Sequence, residues 1–276
     1  MRVLKLLRPR WKVLALTSSP ERVAVLRDAG AVPLLGNLDG LSSLRRLASV
    51  ADKVLHLAPP QGHGAHDART RHLLQALARG ARVQRLVYAS TSGVYGDAEG
   101  AVFDETRAVW PATDRALRRV DAEAQVRAFG RRSGVGVSVL RIPGIYAADR
   151  EGGHPRDRLL RGTPVLVAGD DVHTNHIHAD DLARACVAAL MHGAPQRVYH
   201  ASDDTDLKMA DYFDLAADLC GLPRPPRVSR AEASQTFGPV MLSFMSESRR
   251  LVNQRLKTEL GLKLRYPTVR EGLVGT

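Results

Sequence analysis

The sequence predicts an α/β protein built on a doubly wound parallel sheet, with a smaller C-terminal lobe over it. Three observations carry that expectation. The first half of the chain alternates short β-rich runs with helical stretches. Those stretches, at about ten to fifteen residues, are long enough to cross from one parallel strand to the next in the right-handed sense. The 276 residues suffice for one large core and a small lobe. The expected division is residues 1–150 for the sheet domain and 151–276 for the lobe, with returning elements packed on the sheet.

The elements follow in order. Residues 12–17 read as a strand, after which Ser19 and Pro20 supply an N-cap and a first-turn proline. That helix runs to Gly30, and residues 31–35 form the next strand. A short helix over 42–48 precedes a strand at 53–57. Leu73, Leu74, Leu77 and Ala78 fall at helical spacing within 65–78, which ends at Gly80. Residues 83–89 make another strand, 113–131 a long helix, and 135–140 a buried strand. Beyond residue 150 the rhythm loosens. Helices are expected at 179–191, 209–219, 247–260 and 268–273, with a strand at 198–201. The prolines in Leu222-Pro-Arg-Pro-Pro-Arg227 mark a turn or linker.

Composition narrows the function classes. Hydrophobic residues make up 44% and charged residues 25%, ordinary values for a globular protein. No run of about eighteen uncharged apolar residues occurs, so no membrane span is expected. The basic, apolar start is broken by Lys5 and Arg8 and does not form a signal-peptide core. Cys186 and Cys220 make no disulfide framework, and a reducing cytoplasm is the expected location. The net charge of +11 comes largely from arginines spread over polar helix faces, such as Arg127, Arg131 and Arg132. Without aromatic interleaving or a groove-reading motif this is a solvated basic surface, so neither nucleic acid nor membrane is an expected partner.

The most informative stretch is Leu86-Val-Tyr-Ala-Ser-Thr-Ser-Gly-Val-Tyr-Gly-Asp97, an apolar strand delivering small hydroxyl residues at its carboxyl end. Ligands bind at that end in doubly wound sheets. With Val139-Leu-Arg-Ile-Pro-Gly-Ile-Tyr146 and His176-Ile-His-Ala-Asp-Asp-Leu-Ala183, in that order and spacing, it resembles the extended short-chain dehydrogenases/reductases of the NAD-dependent epimerase/dehydratase branch. Residues 246–261 and 266–272 also resemble this branch, most of all an atypical bacterial subgroup. The resemblance implies a Rossmann-type sheet, a nicotinamide cofactor, a small-molecule substrate and a homodimer through paired helices.

It also implies site residues. Thr91 falls at the family's reactive hydroxyl, with Tyr95 beside it as a second candidate catalytic group. The family's Tyr-x-x-x-Lys pair falls on Arg115 and Arg119. A guanidinium stays protonated, so Arg115 does not cycle a proton as a phenol does. Either both arginines are solvated helix residues or they clamp an anion, Arg119 on the cofactor and Arg115 on the substrate. Thr17, Ser18, Ser19 and Arg22 stand where the family reads the adenosine ribose, and hydroxyls with an arginine favour NADP over NAD. Asn37 and Asp39 would edge the adenine. Leu57, Ala58, Pro59, Ala89, Ser90, Ile142 and Pro143 would border the cofactor, and His176 the substrate.

His176, His178, Asp180 and Asp181 lack a third ligand at a recognised spacing, and no metal is expected. His63 and His66 read as loop residues over the cleft.

A second departure lies at the front. No glycine-rich turn precedes the 12–17 strand; residues 1–7 resemble the second half of the helix that follows such a turn. The sequence therefore suggests that the given start falls late, at an internal methionine, by about fifteen residues. Two functions remain open: an oxidoreductase or epimerase acting on a small polar metabolite without the usual pair, and a non-catalytic NAD(P) sensor or binding protein.

Overall fold

The computed structural model describes residues 1–150 and 152–274. Helix α1 (Arg2–Leu7) leads into β1 (Leu14–Thr17), α2 (Arg22–Asp28) and β2 (Val32–Leu35). A 3-10 segment (Leu41–Ser49) precedes β3 (Lys53–His56), and α3 (Ala68–Leu77) precedes β4 (Arg85–Thr91). A second 3-10 turn (Ser92–Tyr95), the short β5 (Val102–Phe103), helix α4 (Asp114–Ser133) and β6 (Gly136–Ile142) follow.

The lobe interleaves short pieces: β7 (Gly144–Tyr146), α5 (Arg156–Leu160), β8 (Val165–Leu166), β9 (His173–Thr174) and β10 (His176–His178). Helix α6 (Ala179–His192) and β11 (Arg197–His200) return to the sheet. Then come β12 (Leu207–Lys208), α7 (Met209–Cys220), β13 (Arg227–Val228), α8 (Arg230–Thr236) and α9 (Pro239–Phe244). The chain closes through β14 (Arg250–Leu251), α10 (Gln254–Thr258) and α11 (Val269–Val274).

The main sheet is wholly parallel, in the order β11-β6-β4-β3. Its middle strands are buried on both faces, which is why 86–90 and 137–142 read as nearly continuous apolar runs. Leu73, Leu77, Val126 and Phe129 of α3 and α4 pack one face around Leu86 and Tyr88. Ala185, Cys186 and Ala189 of α6, with Leu256 and Leu260, pack the other around Val87 and Leu140. A third apolar cluster, with Met209, Phe213 and Val269, forms the core of the lobe.

β1 and β2 form a separate parallel ladder, and β1 is not paired with β3. Every residue of β1 is only half-buried, as an edge position dictates, while the interior strand β6 is buried along six of its seven residues. The sheet expected as one is thus two ladders.

Local chemistry explains most boundaries. The Asp67 carboxylate accepts from the Thr70 N–H (3.1 Å) and starts α3 three residues later than the periodicity suggests. Thr113 caps α4 in the same way, and Gly134, at φ +66°, ends it in the left-handed conformation.

Two expectations are corrected. Ser19 does not cap α2: Glu21 holds the N-cap position, and the Ser19 hydroxyl donates to the Glu21 carboxylate. Residues 247–253 are not helical, and Arg250–Leu251 form a strand within them. The Arg250 N–H donates to the Ala101 carbonyl (3.1 Å), and the Val252 N–H to that of Phe103 (2.9 Å). Asn175 adds a hydrogen bond from the Leu251 N–H to its side-chain oxygen (2.9 Å). Tertiary pairing here overrides a helical pattern, and helix resumes only at Gln254.

Candidate functional site

The parallel strands bring most of the expected residues to one edge. β4 ends in Ala89, Ser90 and Thr91, and β6 ends in Ile142, followed by Pro143. β1 ends in Thr17, with Ser18, Ser19 and the exposed Arg22 just beyond. Asn37 follows β2, and Leu57-Ala58-Pro59 follow β3. Arg69 ties these two loops together, pairing with Asp39 (2.6 Å) and donating to the Pro59 carbonyl (3.2 Å).

Thr91 caps the 3-10 turn: its hydroxyl oxygen accepts from the Gly93 N–H (3.2 Å), which leaves its proton to donate. Arg119 reaches from α4 to the strand beside it, donating to the Ala89 carbonyl (2.6 Å) and to the Tyr88 hydroxyl (3.1 Å). Arg115 is one turn earlier on α4 and exposed; its guanidinium lies over the Phe244 ring at 4.7 Å.

Behind Thr91 lies a buried polar network. The Ser90 hydroxyl donates to Glu123 (2.6 Å), and Arg141 grips the same carboxylate through two nitrogens (3.1 and 2.7 Å). Arg141 also donates to the Tyr95 oxygen (2.7 Å). His200 Nδ1–H donates to the Val252 carbonyl (2.9 Å), so Nε2 is the acceptor for the Tyr95 O–H (2.6 Å). Burial pushes the imidazole down to about 4, keeping it neutral and able to accept, and pushes the Tyr95 phenol up. Glu105 accepts from the His200 N–H (2.9 Å).

Two candidates therefore sit inside rather than at the cleft surface. Tyr95 is 1% exposed, with its donor and acceptor roles both engaged. His176 is buried in the lobe, stacked on Tyr212 at 4.1 Å, and burial pushes it down to about 3. Its neighbours have structural tasks as well. His178 caps α6 by accepting from the Asp180 N–H (3.2 Å), and Asp181 accepts from the Tyr266 N–H (2.9 Å). Among the described residues no group of three or more metal-ligating side chains converges.

Sequence patterns gave no site role to Arg141, His200, Phe244 or Trp110, and used Glu123 only to set the register of the helix. Arg141 carried the one usable signal: a cation inside an apolar strand must be paired when it is buried.

A dinucleotide can be tested against this edge. At the expected adenosine end stand Thr17, Ser18 and Arg22, with the Ser19 hydroxyl engaged by Glu21; at the expected nicotinamide end stand Thr91, Arg119 and the Ile142-Pro143 turn. Among the described residues, no glycine-rich turn at a helix N-terminus stands at this edge to cradle a pyrophosphate. Polar and cationic groups stand at the two expected ends, and the pyrophosphate cradle is the part these residues do not furnish.

Comparison with known proteins shows the family and the fold. The model of the NAD dependent epimerase/dehydratase family matches residues 3–201. A 3-diazoavenalumate denitrifying reductase of a Streptomyces species is 30% identical over 239 residues, covering 80% of this chain and 75% of that protein. A solved structure of a functionally unknown conserved protein from Silicibacter pomeroyi superposes with a TM-score of 0.80 at 32% identity, over 99% of this chain and 92% of that one. A dTDP-glucose 4,6-dehydratase from Streptomyces venezuelae, solved with NAD bound, gives a TM-score of 0.77 at 21% identity, over 99% and 89%. At that identity the likeness shows the fold alone.

Proposed function

The chain belongs to the NAD dependent epimerase/dehydratase family, and from that premise we propose that its carboxyl-edge cleft is a nicotinamide-dependent centre. It acts on a small polar metabolite through Thr91 and two arginines. The observation that carries this reading is the Thr91 hydroxyl, presented at the end of β4 beside an arginine hooked onto the Ala89 carbonyl. Its class of reaction is oxidation–reduction or epimerisation. The Streptomyces relative is named a reductase, which favours reduction, and Thr17, Ser18, Ser19 and Arg22 favour NADP over NAD.

When bound, the nicotinamide supplies or accepts hydride. The protein's own groups supply position and charge. Thr91 donates its hydroxyl proton in a hydrogen bond to a carbonyl oxygen. Arg119 places positive charge near that oxygen as it turns anionic, which lowers the barrier without any protein proton being transferred, and Arg115 faces the substrate from the first turn of α4. The exposed mouth lets water provide the proton afterwards. Tyr95 is a positioning residue: anchored to Arg141 and His200, it holds the 3-10 turn that Thr91 caps.

The missing phenol favours a second reading, in which the cleft binds NAD(P) without turnover. Oxidation of NADPH and NADH against a panel of small carbonyl compounds separates the two. Turnover is expected, and Thr91→Val is expected to lower kcat/KM by about 100-fold, the effect of losing one donor to a developing oxyanion. Full activity in Thr91→Val would remove Thr91 from the centre. Saturable nucleotide binding with no turnover across the panel would establish the binding protein.

A further inference from the structure

We propose that the mouth of this cleft takes an aromatic carboxylate, its carboxylate on Arg115 and its ring against Phe244. The inference rests on the reading of the cleft as a substrate site. It starts from three side chains whose exposure is anomalous for their chemistry. Trp110 is 80% exposed, Phe244 48% exposed, and Val240, one helical turn before Phe244, 65% exposed. A lone exposed apolar residue is ordinary, but one whose ring carries an arginine beside a site is a surface a ligand can use.

Their placement is fixed from several directions. The Trp110 backbone N–H donates to the Val94 carbonyl (2.9 Å), seating the main chain here against the turn that Thr91 begins. Five residues later, Arg115 stands in the first turn of α4, and its guanidinium covers the Phe244 ring. Phe244 ends α9, which is held over this side of the sheet domain by the strap behind it. There the Arg249 guanidinium donates to the Gly96 carbonyl (2.8 Å), and β14 pairs with β5.

The chemistry of the occupant follows from the group that must recognise it. Arg115 has no acidic partner within ion-pair range among the described residues; its described contact is the face of an aromatic ring. A cation so placed keeps its planar donor fork for an anion, and a carboxylate matches that fork in two parallel hydrogen bonds. The half-exposed Phe244 ring beside it offers an apolar wall against which a planar group stacks. An aliphatic anion would satisfy only the first of these, and a neutral aromatic only the second.

Fluorine NMR with 4-fluorobenzoate, 4-fluorobenzamide and trifluoroacetate tests all three requirements on the whole protein. The benzoate resonance is expected to broaden and shift saturably, while the amide and the aliphatic anion bind at least tenfold more weakly. Arg115→Gln is expected to weaken 4-fluorobenzoate at least tenfold and Phe244→Ala several-fold, whereas Arg131→Gln at the far end of α4 leaves it unchanged. Equal binding of amide and acid, or an unchanged affinity in Arg115→Gln, would overturn the proposal. So would equal losses in Arg115→Gln and Arg131→Gln, which would mark nonspecific attraction to a basic surface. NADPH titrated separately distinguishes the failures. Nucleotide binding without benzoate binding sinks this inference alone, and benzoate binding without nucleotide binding sinks the cofactor reading and leaves a carboxylate site.

Discussion

Replacing Glu123 by alanine lowers the stability of the protein by about 3–5 kcal/mol, as equilibrium unfolding in urea would measure. Glu123 and Arg141 are each only 6% exposed at the side chain, and their pairing is bidentate. Removing the carboxylate leaves a buried guanidinium with Tyr95 as its remaining hydrogen-bond partner and deprives Ser90 of its acceptor. The cost is that of an uncompensated charge, which greatly exceeds the net contribution of the pair when intact. The double replacement Glu123→Leu with Arg141→Met is therefore expected to recover much of the loss, because it removes both charges together. A loss below about 1 kcal/mol in the single variant would mean that water reaches Arg141 and the network is not dry.

The protein is also expected to lose stability as the pH falls from 6.5 to 4.5. Burial holds His56 and His200 down to about 4 and His176 down to about 3. In the unfolded chain each titrates near 6.5. As pH falls below that value, the unfolded state takes up protons that the folded state refuses, so folding is progressively disfavoured. Asp203 works in the opposite direction. Its buried carboxyl is pushed up to about 7, so the folded state holds a proton there that the unfolded chain has released. Burial also pushes Glu105 and Asp171 up and His154 and His178 down, so the shifted histidines outnumber the shifted carboxyls. The net slope favours folding at higher pH by on the order of 1–3 kcal/mol per pH unit near pH 5. Scanning calorimetry at pH 4.5, 5.5 and 6.5 should show Tm rising with pH, and His176→Phe should flatten the rise. A Tm independent of pH across this window would mean that the histidines are hydrated.

How much of this was legible in the sequence depends on how local its cause is. The strands ending in Thr91 and Ile142 were readable because burial on both faces imposes an apolar run. Helices α4 and α6 were readable because their caps and apolar positions lie within the helix itself. Residues 247–253 were misread for the opposite reason: their partners, Ala101, Phe103 and Asn175, lie far away in sequence. The hydroxyls and arginines at the carboxyl edge followed from family spacing. The role of Tyr95 did not, since it depends on Arg141 and His200 arriving from two other strands. Phe244 was invisible because nothing in α9 announces that Arg115, more than a hundred residues earlier, lies beneath it.

The decisive measurement is a calorimetric titration of the protein with NADPH and with NADH. One saturable site is expected, with NADPH bound more tightly. Arg22→Ala should weaken NADPH by about tenfold, or about 1.4 kcal/mol, and leave NADH nearly unchanged. Heats indistinguishable from dilution for both nucleotides would contradict a nicotinamide site at the carboxyl edge of this sheet.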